Sequence, residues 1–314
     1  KSVIKPTEII IETLLPKSVC AILAGTTGAN KSFYAMQMGM SIANDEDDFL
    51  GFTIMKKGLS VLLVDTEIGE NLILERYDAL KRNFNWKGSD RFNMISKTGS
   101  FDKIWDSLDK SIKYFKPDIV IIDCLYNVST EKDFSKSHKI SKVMEQLTKI
   151  KNTFDITLFC VHHMNKGGHE VGLTKDRMSG ASALQNWVEH LVLMTNTNNS
   201  STRLLKVDKS RVLNYPEFYY GIDWNSESLF LENKGIVENW KHLMQSEETK
   251  LKWASHLKEM DILFDTDMWV SHIIKNNLSE RTAYGWLREM QGSGVVRKVK
   301  HGRWEKILNL MEME

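Results

Sequence analysis

The sequence contains few cysteines and no long apolar run. Its three cysteines, Cys20, Cys124 and Cys160, lack metal-ligand spacing, and an odd number argues against a disulfide framework. They indicate buried, reduced thiols in a cytoplasmic protein. Because no apolar run approaches about 18 residues and no signal-peptide pattern is visible, we expect no membrane span.

An excess of charge of one sign is also lacking. The formal net charge is +1, so overall composition indicates no particular partner, and any nucleic-acid site has to come from local clusters. Hydrophobic residues make up 42% of the 314 residues, which is enough for a sizeable core. We expect one large domain at residues 1–235 and a small one at residues 236–314.

A glycine-rich turn between an apolar run and a helical pattern is the most informative stretch. The run Val19–Ala24 leads into Gly25, and Lys31 and Ser32 close the turn. Strand, loop and helix in this order are typical of a P-loop, whose backbone N–H groups and helix N-terminus bind phosphate. The predicted nucleotide-binding residues are Gly25, Thr26, Thr27, Gly28, Ala29, Asn30, Lys31 and Ser32.

The cofactors predicted from this loop are ATP and Mg²⁺. Lys31 would reach the outer phosphates, and the Ser32 hydroxyl would be a ligand of Mg²⁺. Asn30 occupies the position of the second glycine in the usual pattern, and asparagine readily adopts positive φ. We expect Asn30→Gly to raise affinity or turnover, because the amide would crowd the phosphates. The alternative is that the amide supplies a needed hydrogen bond, in which case the substitution would lower both. An ordinary turn that binds no nucleotide is the alternative interpretation.

Strand and helix patterns alternate after the loop. Apolar β runs at residues 59–64, 92–95, 119–122 and 156–161 are separated by helical patterns. This alternation predicts an α/β core with a mostly parallel sheet that is covered on both faces. Short runs between residues 190 and 231 predict further strands that pair antiparallel.

Two carboxylates follow strands of this sheet. Asp123 ends a buried run and is expected to hold Mg²⁺, although strand-end aspartates also cap turns. Glu67 follows the second run, which we expect to lie beside the P-loop strand, and it is a candidate base that polarises water. The alternative for Glu67 is a surface side chain at a helix N-terminus.

The tail of the chain predicts a winged helix-turn-helix. Two helical patterns at residues 269–277 and 281–291 flank Ser279, a suitable N-cap, and a hairpin that turns at residues 301–302 follows. From Arg281 to Lys306 there are seven Lys/Arg and two Glu residues, which favours phosphate contacts with duplex DNA. A domain for protein contacts is the alternative. The predicted DNA-binding residues of the tail are Arg281, Arg288, Arg297, Lys298, Lys300 and Arg303.

Four segments occur in the order found in RecA-superfamily ATPases, and the sequence resembles that superfamily. The segments are Gly25–Ser32, Asp65–Glu67, the run ending at Asp123, and Val161–Lys166. The paired histidines followed by a lysine, together with Met178–Ser182, are most similar to RepA-type hexameric replicative helicases of plasmids, which are relatives of DnaB. The resemblance covers roughly residues 5–232.

The resemblance implies roles for several core residues. Glu67 matches the glutamate that activates water, and His163 matches a residue that senses the γ-phosphate. The alternative for His162 and His163 is a polar strand end satisfied by backbone groups, and a zinc site is not expected because adjacent histidines lack the usual companion ligands. Lys209 and Arg211 match a Lys-x-Arg pair that completes the ATP site of a neighbouring subunit, with a solvated strand edge as the alternative. The loop after His163 would line a channel that tracks single-stranded DNA, with a disordered surface loop as the alternative, since it has no aromatic residue for base stacking. Its basic residues are Lys166, Lys175 and Arg177.

The function implied by the resemblance is an ATP-dependent DNA helicase or translocase of plasmid, phage or mobile-element replication. It would act as a ring of subunits, expected to be a hexamer, and Asp123 would complete its catalytic set. The alternative is an ATP-binding DNA-binding regulator, or an adaptor, with weak or no hydrolysis. Asn30 is the main departure from the loop of this family.

Overall fold

A computed structural model describes residues 8–88, 90–96, 101–128, 137–164, 173–175, 178, 181–238, 247–292 and 294–307. The first elements are β1 (Ile9–Ile11), β2 (Leu15–Pro16), β3 (Cys20–Gly25), α1 (Lys31–Ala43), β4 (Asp48–Phe49) and β5 (Phe52–Thr53). The next are β6 (Val61–Asp65), α2 (Glu70–Lys81), β7 (Phe92–Ser96), α3 (Phe101–Phe115), β8 (Ile119–Asp123), α4 (Ser137–Phe154) and β9 (Thr157–His163). They are followed by α5 (Ala181–Trp187), β10 (His190–Asn196), β11 (Thr202–Ser210), β12 (Tyr219–Asn225) and β13 (Phe230–Val237).

Nine of these strands form one sheet, in the order β13-β12-β11-β10-β3-β9-β8-β6-β7. Neighbouring strands from β10 to β7 run parallel, and those from β10 to β13 pair antiparallel. The predicted α/β core with a mostly parallel sheet is therefore confirmed. The strand β10, expected only among the antiparallel strands, also pairs in parallel with β3.

The position of β6 is different from the predicted one beside the P-loop strand β3. Strands β9 and β8 lie between these two strands. The connection that contains α1 passes over these strands, since the helix packs against β9, β8 and β6. The strands β8 and β9, which come later in the chain, occupy the two positions between β3 and β6.

Both faces of the main sheet are buried, which explains the uninterrupted apolar runs in the sequence. Every residue of β3, β6 and β8 is buried. Alternate side chains of β3 enter different clusters, because successive strand residues point to opposite faces. Ala21 and Leu23 pack on the face covered by α1, while Ile22 and Ala24 pack on the face covered by α3 and α4.

The C-terminal residues form a small core of their own. Its elements are α6 (Glu247–Lys258), β14 (Leu263–Asp265), α7 (Thr266–Lys275), α8 (Glu280–Gly292), β15 (Val296–Lys300) and β16 (Arg303–Lys306). Two helices and a hairpin are thus present where the sequence predicts them, and the strands pair in the order β14-β16-β15. Trp253, Trp269 and Leu287 are buried between these elements. The Ser279 hydroxyl accepts a 3.1 Å hydrogen bond from the Thr282 N–H, as an N-cap does.

Three smaller features bear on expectations from the sequence. The strand β13 ends at Val237, so the main sheet continues past the domain boundary expected at residue 235. Cys20, Cys124 and Cys160 are free and buried, as expected. None of the described helices combines the length and the apolar composition that crossing a bilayer requires.

Candidate nucleotide-binding site

A cleft of about 240 Å³ lies at the carboxyl ends of the parallel strands. Gly25 at the end of β3 lies opposite His163 at the end of β9 and opposite Met194 in β10. Because parallel strands end at the same edge, residues far apart in sequence meet here. Of the predicted site residues, those that line the cleft are Thr27, Gly28, Asn30, Lys31, Ser32, Glu67, Asp123 and His163.

The loop between β3 and α1 has the tight backbone that a phosphate cradle needs. A Cβ atom on Gly25 would lie 2.3 Å from the carbonyl oxygen of Met194, so only glycine fits there. Gly28 has a φ of 77°, and Asn30 has a φ of 61° in the left-handed region. The Asn196 amide donates a 2.9 Å hydrogen bond to the Thr27 carbonyl and holds the loop against β10. These features fit phosphate binding by backbone N–H groups.

Lys31 begins α1 and is buried at the base of the loop. Its ammonium donates a 2.8 Å hydrogen bond to the carbonyl oxygen of Thr26, which fixes the side chain across the loop. Burial lowers the pKa of Lys31, while the negative charges of Asp123 and Glu67 act in the opposite direction. The cleft therefore contains a positioned cation with carboxylates close to it.

Asp123 ends β8 and is only 8% exposed. Burial raises the pKa of its carboxyl to about 6, and the charges of Glu67 and Asp65 add to this effect, while a hydrogen bond from Ser32 opposes it. Among the described residues, none donates a hydrogen bond to its Oδ1 atom. A buried carboxylate oxygen without a donor, next to a hydroxyl, is a suitable pair of ligands for Mg²⁺. Ser32 and Asp123 therefore fit the predicted metal role.

Glu67 lies two residues beyond the end of β6, and its side chain is exposed. The turn that presents it is held by Asp65, whose carboxylate accepts hydrogen bonds from the N–H groups of Glu67 and Gly69 at 3.2 and 2.9 Å. The Ser96 hydroxyl donates a further 3.0 Å bond to the same carboxylate. Asp65 is thus a positioning residue, a role that the sequence motif did not reveal. Through this turn Glu67 reaches the cleft although β6 is not adjacent to β3.

The two histidines at the end of β9 have different surroundings. His162 is buried, and His163 lines the cleft. Burial lowers the pKa of His163, and the nearby Lys31 ammonium lowers it further. His163 is therefore a neutral imidazole at neutral pH, which can donate a hydrogen bond from one ring nitrogen.

Asn30 makes a contact that the sequence did not indicate. Its side-chain oxygen accepts a 2.9 Å hydrogen bond from Nε of Arg203, which lies 173 residues later at the start of β11. The Arg203 guanidinium also donates to the carbonyl oxygens of Ser200 and Thr202, at 2.8 and 3.0 Å. Arg203 is buried, and this burial lowers its pKa. The side-chain oxygen of Asn30 therefore accepts a hydrogen bond from β11. This contact favours the alternative interpretation of Asn30 over the crowding expected from the sequence.

A second cation that the sequence did not indicate is Arg76 in α2. It lines the cleft, and its guanidinium lies 4.8 Å from the centroid of the Phe33 ring. Phe33 in turn packs against Trp224, with 4.6 Å between the ring centroids. No short motif marks this position, because the contact depends on how α2 crosses the sheet.

Lys209 and Arg211 lie away from the cleft of their own chain. Ser210, between them, pairs with His190, which lies opposite Ala21 near the start of β3. This is the opposite edge of the sheet from Gly25. The Lys209 ammonium donates a 2.5 Å hydrogen bond to the Gln185 carbonyl, and Arg211 donates to the Asn186 carbonyl. Both cations thus have local partners at the end of α5, where positive charge is favourable.

The predicted DNA-binding residues fall into three groups. Lys166 and Arg177 lie outside the described residues, and Lys175 is exposed. In the tail, Arg297 forms a 2.6 Å ion pair with Glu305, and Lys298 lies 5.7 Å from the centroid of the Trp304 ring. The remaining predicted contacts are Arg281, Arg288 and Lys300, which are exposed, and Arg303, which is partly buried.

The chain is similar to known proteins in sequence and in fold. Residues 1–169, more than half of the 314-residue chain, match a family described as "AAA domain". The solved structure of a KaiC-like protein from the hyperthermophilic archaeon Pyrococcus horikoshii OT3 matches with a TM-score of 0.53 at 14% identity. This match covers 73% of the present chain and 97% of the other one, and at such an identity it concerns the fold alone. No curated protein matches the sequence.

The hydrogen bond between Arg203 and Asn30 predicts how the loop responds to substitution. We expect Asn30→Gly and Arg203→Lys each to weaken binding of a non-hydrolysable ATP analogue about tenfold or more, since a hydrogen bond to a charged group contributes about 1.5–3 kcal/mol. The double variant should lose no more than the stronger single variant, because both changes remove the same bond. Calorimetric titration measures all three affinities. Tighter binding by Asn30→Gly, or additive losses in the double variant, would show that the contact does not support the loop.

Proposed function

This chain belongs to the AAA domain family and has the fold of a RecA-superfamily P-loop ATPase, and we propose that it hydrolyses ATP to move along DNA as a ring of subunits. The observation that carries the proposal is the meeting of four chemically distinct groups in one cleft. Lys31, Asp123, Glu67 and His163 all line it. Together they offer a cation for phosphate, a metal ligand, a base and a hydrogen-bond donor.

Binding of ATP would use the loop and the start of α1. The backbone N–H groups of the loop would bind the phosphates, and the Lys31 ammonium would balance the charge of the outer ones. Ser32 and Asp123 would hold Mg²⁺, which neutralises charge on the phosphates when it is bound. Asp123 is only 8% exposed, and a charge with so little contact with water interacts more strongly with an ion beside it.

Hydrolysis would use Glu67 and His163. Glu67 would accept a proton from a water molecule as the water oxygen attacks the γ-phosphorus, and ADP would depart with the bridging oxygen. The turn fixed by Asp65 would keep the carboxylate of Glu67 in place. His163, whose pKa is lowered by partial burial and by the Lys31 ammonium, would donate a hydrogen bond to a γ-phosphate oxygen.

The DNA part of the proposal is supported by the tail. The order of helix, turn, helix and hairpin is the order of a winged helix-turn-helix, and its described surface carries several basic side chains. Arg288 and Lys298 share a groove with Asp265 and Asp267, whose carboxylates would repel phosphate. Phosphate contacts are therefore more favourable at exposed cations away from that groove, such as Lys300. We place the function in plasmid, phage or mobile-element replication on the resemblance to RepA-type helicases.

The positions of Lys209 and Arg211 support the part of the proposal that concerns a ring of subunits. They lie at the sheet edge opposite their own cleft, so any ATP site that they complete would belong to another subunit. Their hydrogen bonds to the end of α5 favour a second candidate, an ATP-binding DNA regulator with weak hydrolysis. In that case the two cations stabilise their own chain and complete no neighbouring site. Unwinding of a forked DNA duplex in the presence of ATP separates the two candidates, because only a motor displaces the strand.

We expect Glu67→Gln to bind ATP normally and to lose hydrolysis by about 100-fold or more, because the amide cannot accept a proton. Glu70→Gln is the matched control, since Glu70 lies three residues later, is exposed and begins α2. Phosphate release and analogue binding are measured for both variants. Undiminished turnover by Glu67→Gln, or equal losses in the two variants, would exclude Glu67 as the base.

We expect Arg211→Ala to bind ATP but to hydrolyse it about 10³–10⁵ times more slowly, the range for an arginine supplied in trans. Mixing it with Lys31→Ala should partly restore hydrolysis, because a mixed interface can combine an intact loop with an intact Arg211. The melting temperature of Arg211→Ala shows whether loss of the Asn186 contact alone disturbs the fold. Normal turnover by this variant, or no recovery on mixing, would support the monomeric regulator.

We expect Lys300→Ala and Arg281→Ala each to reduce the salt dependence of duplex DNA binding, lowering the slope of log K against log[salt] by about 0.9. Arg297→Ala is the control and should change the slope less, because Glu305 already balances its charge. Fluorescence anisotropy at several salt concentrations gives the slopes. Identical affinities and slopes for all variants would assign the tail to protein contacts.

A further inference from the structure

Three side chains with different ligand atoms meet beside the cleft. A carboxylate oxygen of Glu67, the sulfur of Cys124 and a ring nitrogen of His163 lie within 4.8 Å of one another. They come from the turn after β6, from the residue after β8 and from the end of β9. Among the described residues this is the group of histidine, cysteine and acidic side chains that could hold a metal ion. These residues are far apart in the sequence, so the sequence does not predict the group. Adjacent histidines without further ligands nearby in the chain even argue against a metal site.

The ligand set is typical of Zn²⁺. Zinc binds sulfur, nitrogen and oxygen at about 2.0–2.3 Å in a tetrahedral arrangement, so its ligands lie about 3.5 Å apart. Closing the present group to that spacing requires shifts of about 1 Å. The exposed side chain of Glu67 can supply most of that movement, because Cys124 and His163 are partly or fully buried at the ends of strands. Three protein ligands leave a fourth position for water.

The position of Cys124 is fixed independently of any ligand. Its N–H donates a 3.0 Å hydrogen bond to the Thr66 hydroxyl oxygen, and the same hydroxyl lies 3.0 Å from the Cys124 carbonyl oxygen. The Asn127 amide donates to the Thr66 carbonyl at 3.1 Å and ties this junction together. Backbone contacts therefore place the thiol next to Glu67. A serine at this position could keep those contacts, whereas only cysteine adds a soft ligand.

We propose that Glu67, Cys124 and His163 bind Zn²⁺ and that the bound ion inhibits ATP hydrolysis. The inhibitory part rests on the proposed function, because a carboxylate that coordinates zinc cannot accept a proton from water. Formation of the zinc–sulfur bond releases the thiol proton to solvent, and no electron transfer is involved. Mg²⁺ prefers oxygen ligands, so Ser32 and Asp123 would hold it, and it would compete poorly for the thiol.

Binding is tested first on the full chain without nucleotide, with Co²⁺ as a spectroscopic substitute for Zn²⁺. We expect one Co²⁺ per chain, a thiolate-to-cobalt charge-transfer absorption, and its loss when Zn²⁺ is added. Cys124→Ser should abolish the absorption and weaken Zn²⁺ binding at least tenfold. Cys160→Ala is the matched control, a buried thiol on the adjacent strand β9, and should retain both. An unchanged absorption in Cys124→Ser, or no binding by the unaltered chain, overturns the site.

A second variant tests the same site in case Cys124→Ser does not fold. Glu67→Gln leaves the strands unaltered and should also weaken Zn²⁺ binding at least tenfold, with the charge-transfer absorption retained at high Co²⁺ concentration. Full affinity in Glu67→Gln would exclude the carboxylate as a ligand and overturn the proposal as stated. This measurement of metal binding requires no ATP hydrolysis, so its result is independent of the proposed function.

Inhibition is tested by ATP hydrolysis at saturating Mg²⁺ with increasing Zn²⁺. Each variant is compared with its own zinc-free rate. We expect Zn²⁺ to inhibit the unaltered chain and Cys160→Ala alike, to act at least tenfold more weakly on Cys124→Ser, and to resist reversal by added Mg²⁺. Equal inhibition of Cys124→Ser and the unaltered chain, or zinc binding without inhibition, would overturn the inhibitory role.

Discussion

The hydrogen bond from Arg203 to Asn30 holds the loop in the backbone conformation on which the cleft depends. A left-handed conformation costs a residue other than glycine about 1 kcal/mol, whereas a hydrogen bond to a charged group contributes about 1.5–3 kcal/mol. The contact therefore offsets the cost of placing asparagine where P-loops usually have glycine. Asparagine has less conformational freedom than glycine at this position, but its side chain connects the loop to β11 through a hydrogen bond. Asn30 is also the residue from which α1 starts, with Lys31 as the first residue of the helix.

The parallel strands place the other residues of the candidate site next to this loop. Their carboxyl ends bring Gly25, Asp123 and His163 to one edge, and buried side chains on both faces hold the strands in register. Glu67 is the exception, because two strands separate β6 from β3. Its place in the cleft depends on the Asp65 turn. Each catalytic candidate is thus carried by the rigid sheet or by a turn that the sheet positions.

The sequence predicted those features that depend on neighbours along the chain. Apolar runs predicted the strands because each strand is buried on both faces, and the local pattern around Ser279 predicted a helix start. Contacts between distant residues were not predictable in the same way. The order of β3, β9, β8 and β6 depends on how far α1 carries the chain across the sheet. The contact between Asn30 and Arg203, and the meeting of Glu67, Cys124 and His163, arise only when separate strands pair.

The strand β11 carries Arg203 at one end and Lys209 at the other, about 20 Å apart for an extended chain. Hydrogen bonds to β10 run along almost its whole length, with a register shift near Val207. The strand thus connects the contact with Asn30 to the far edge of the sheet through one hydrogen-bonded segment, along which a displacement of Asn30 would be felt. In a ring of the proposed kind, that edge would face the next subunit. Nucleotide binding at one site would then affect when the neighbouring subunit hydrolyses ATP, and hydrolysis would proceed around the ring in one direction.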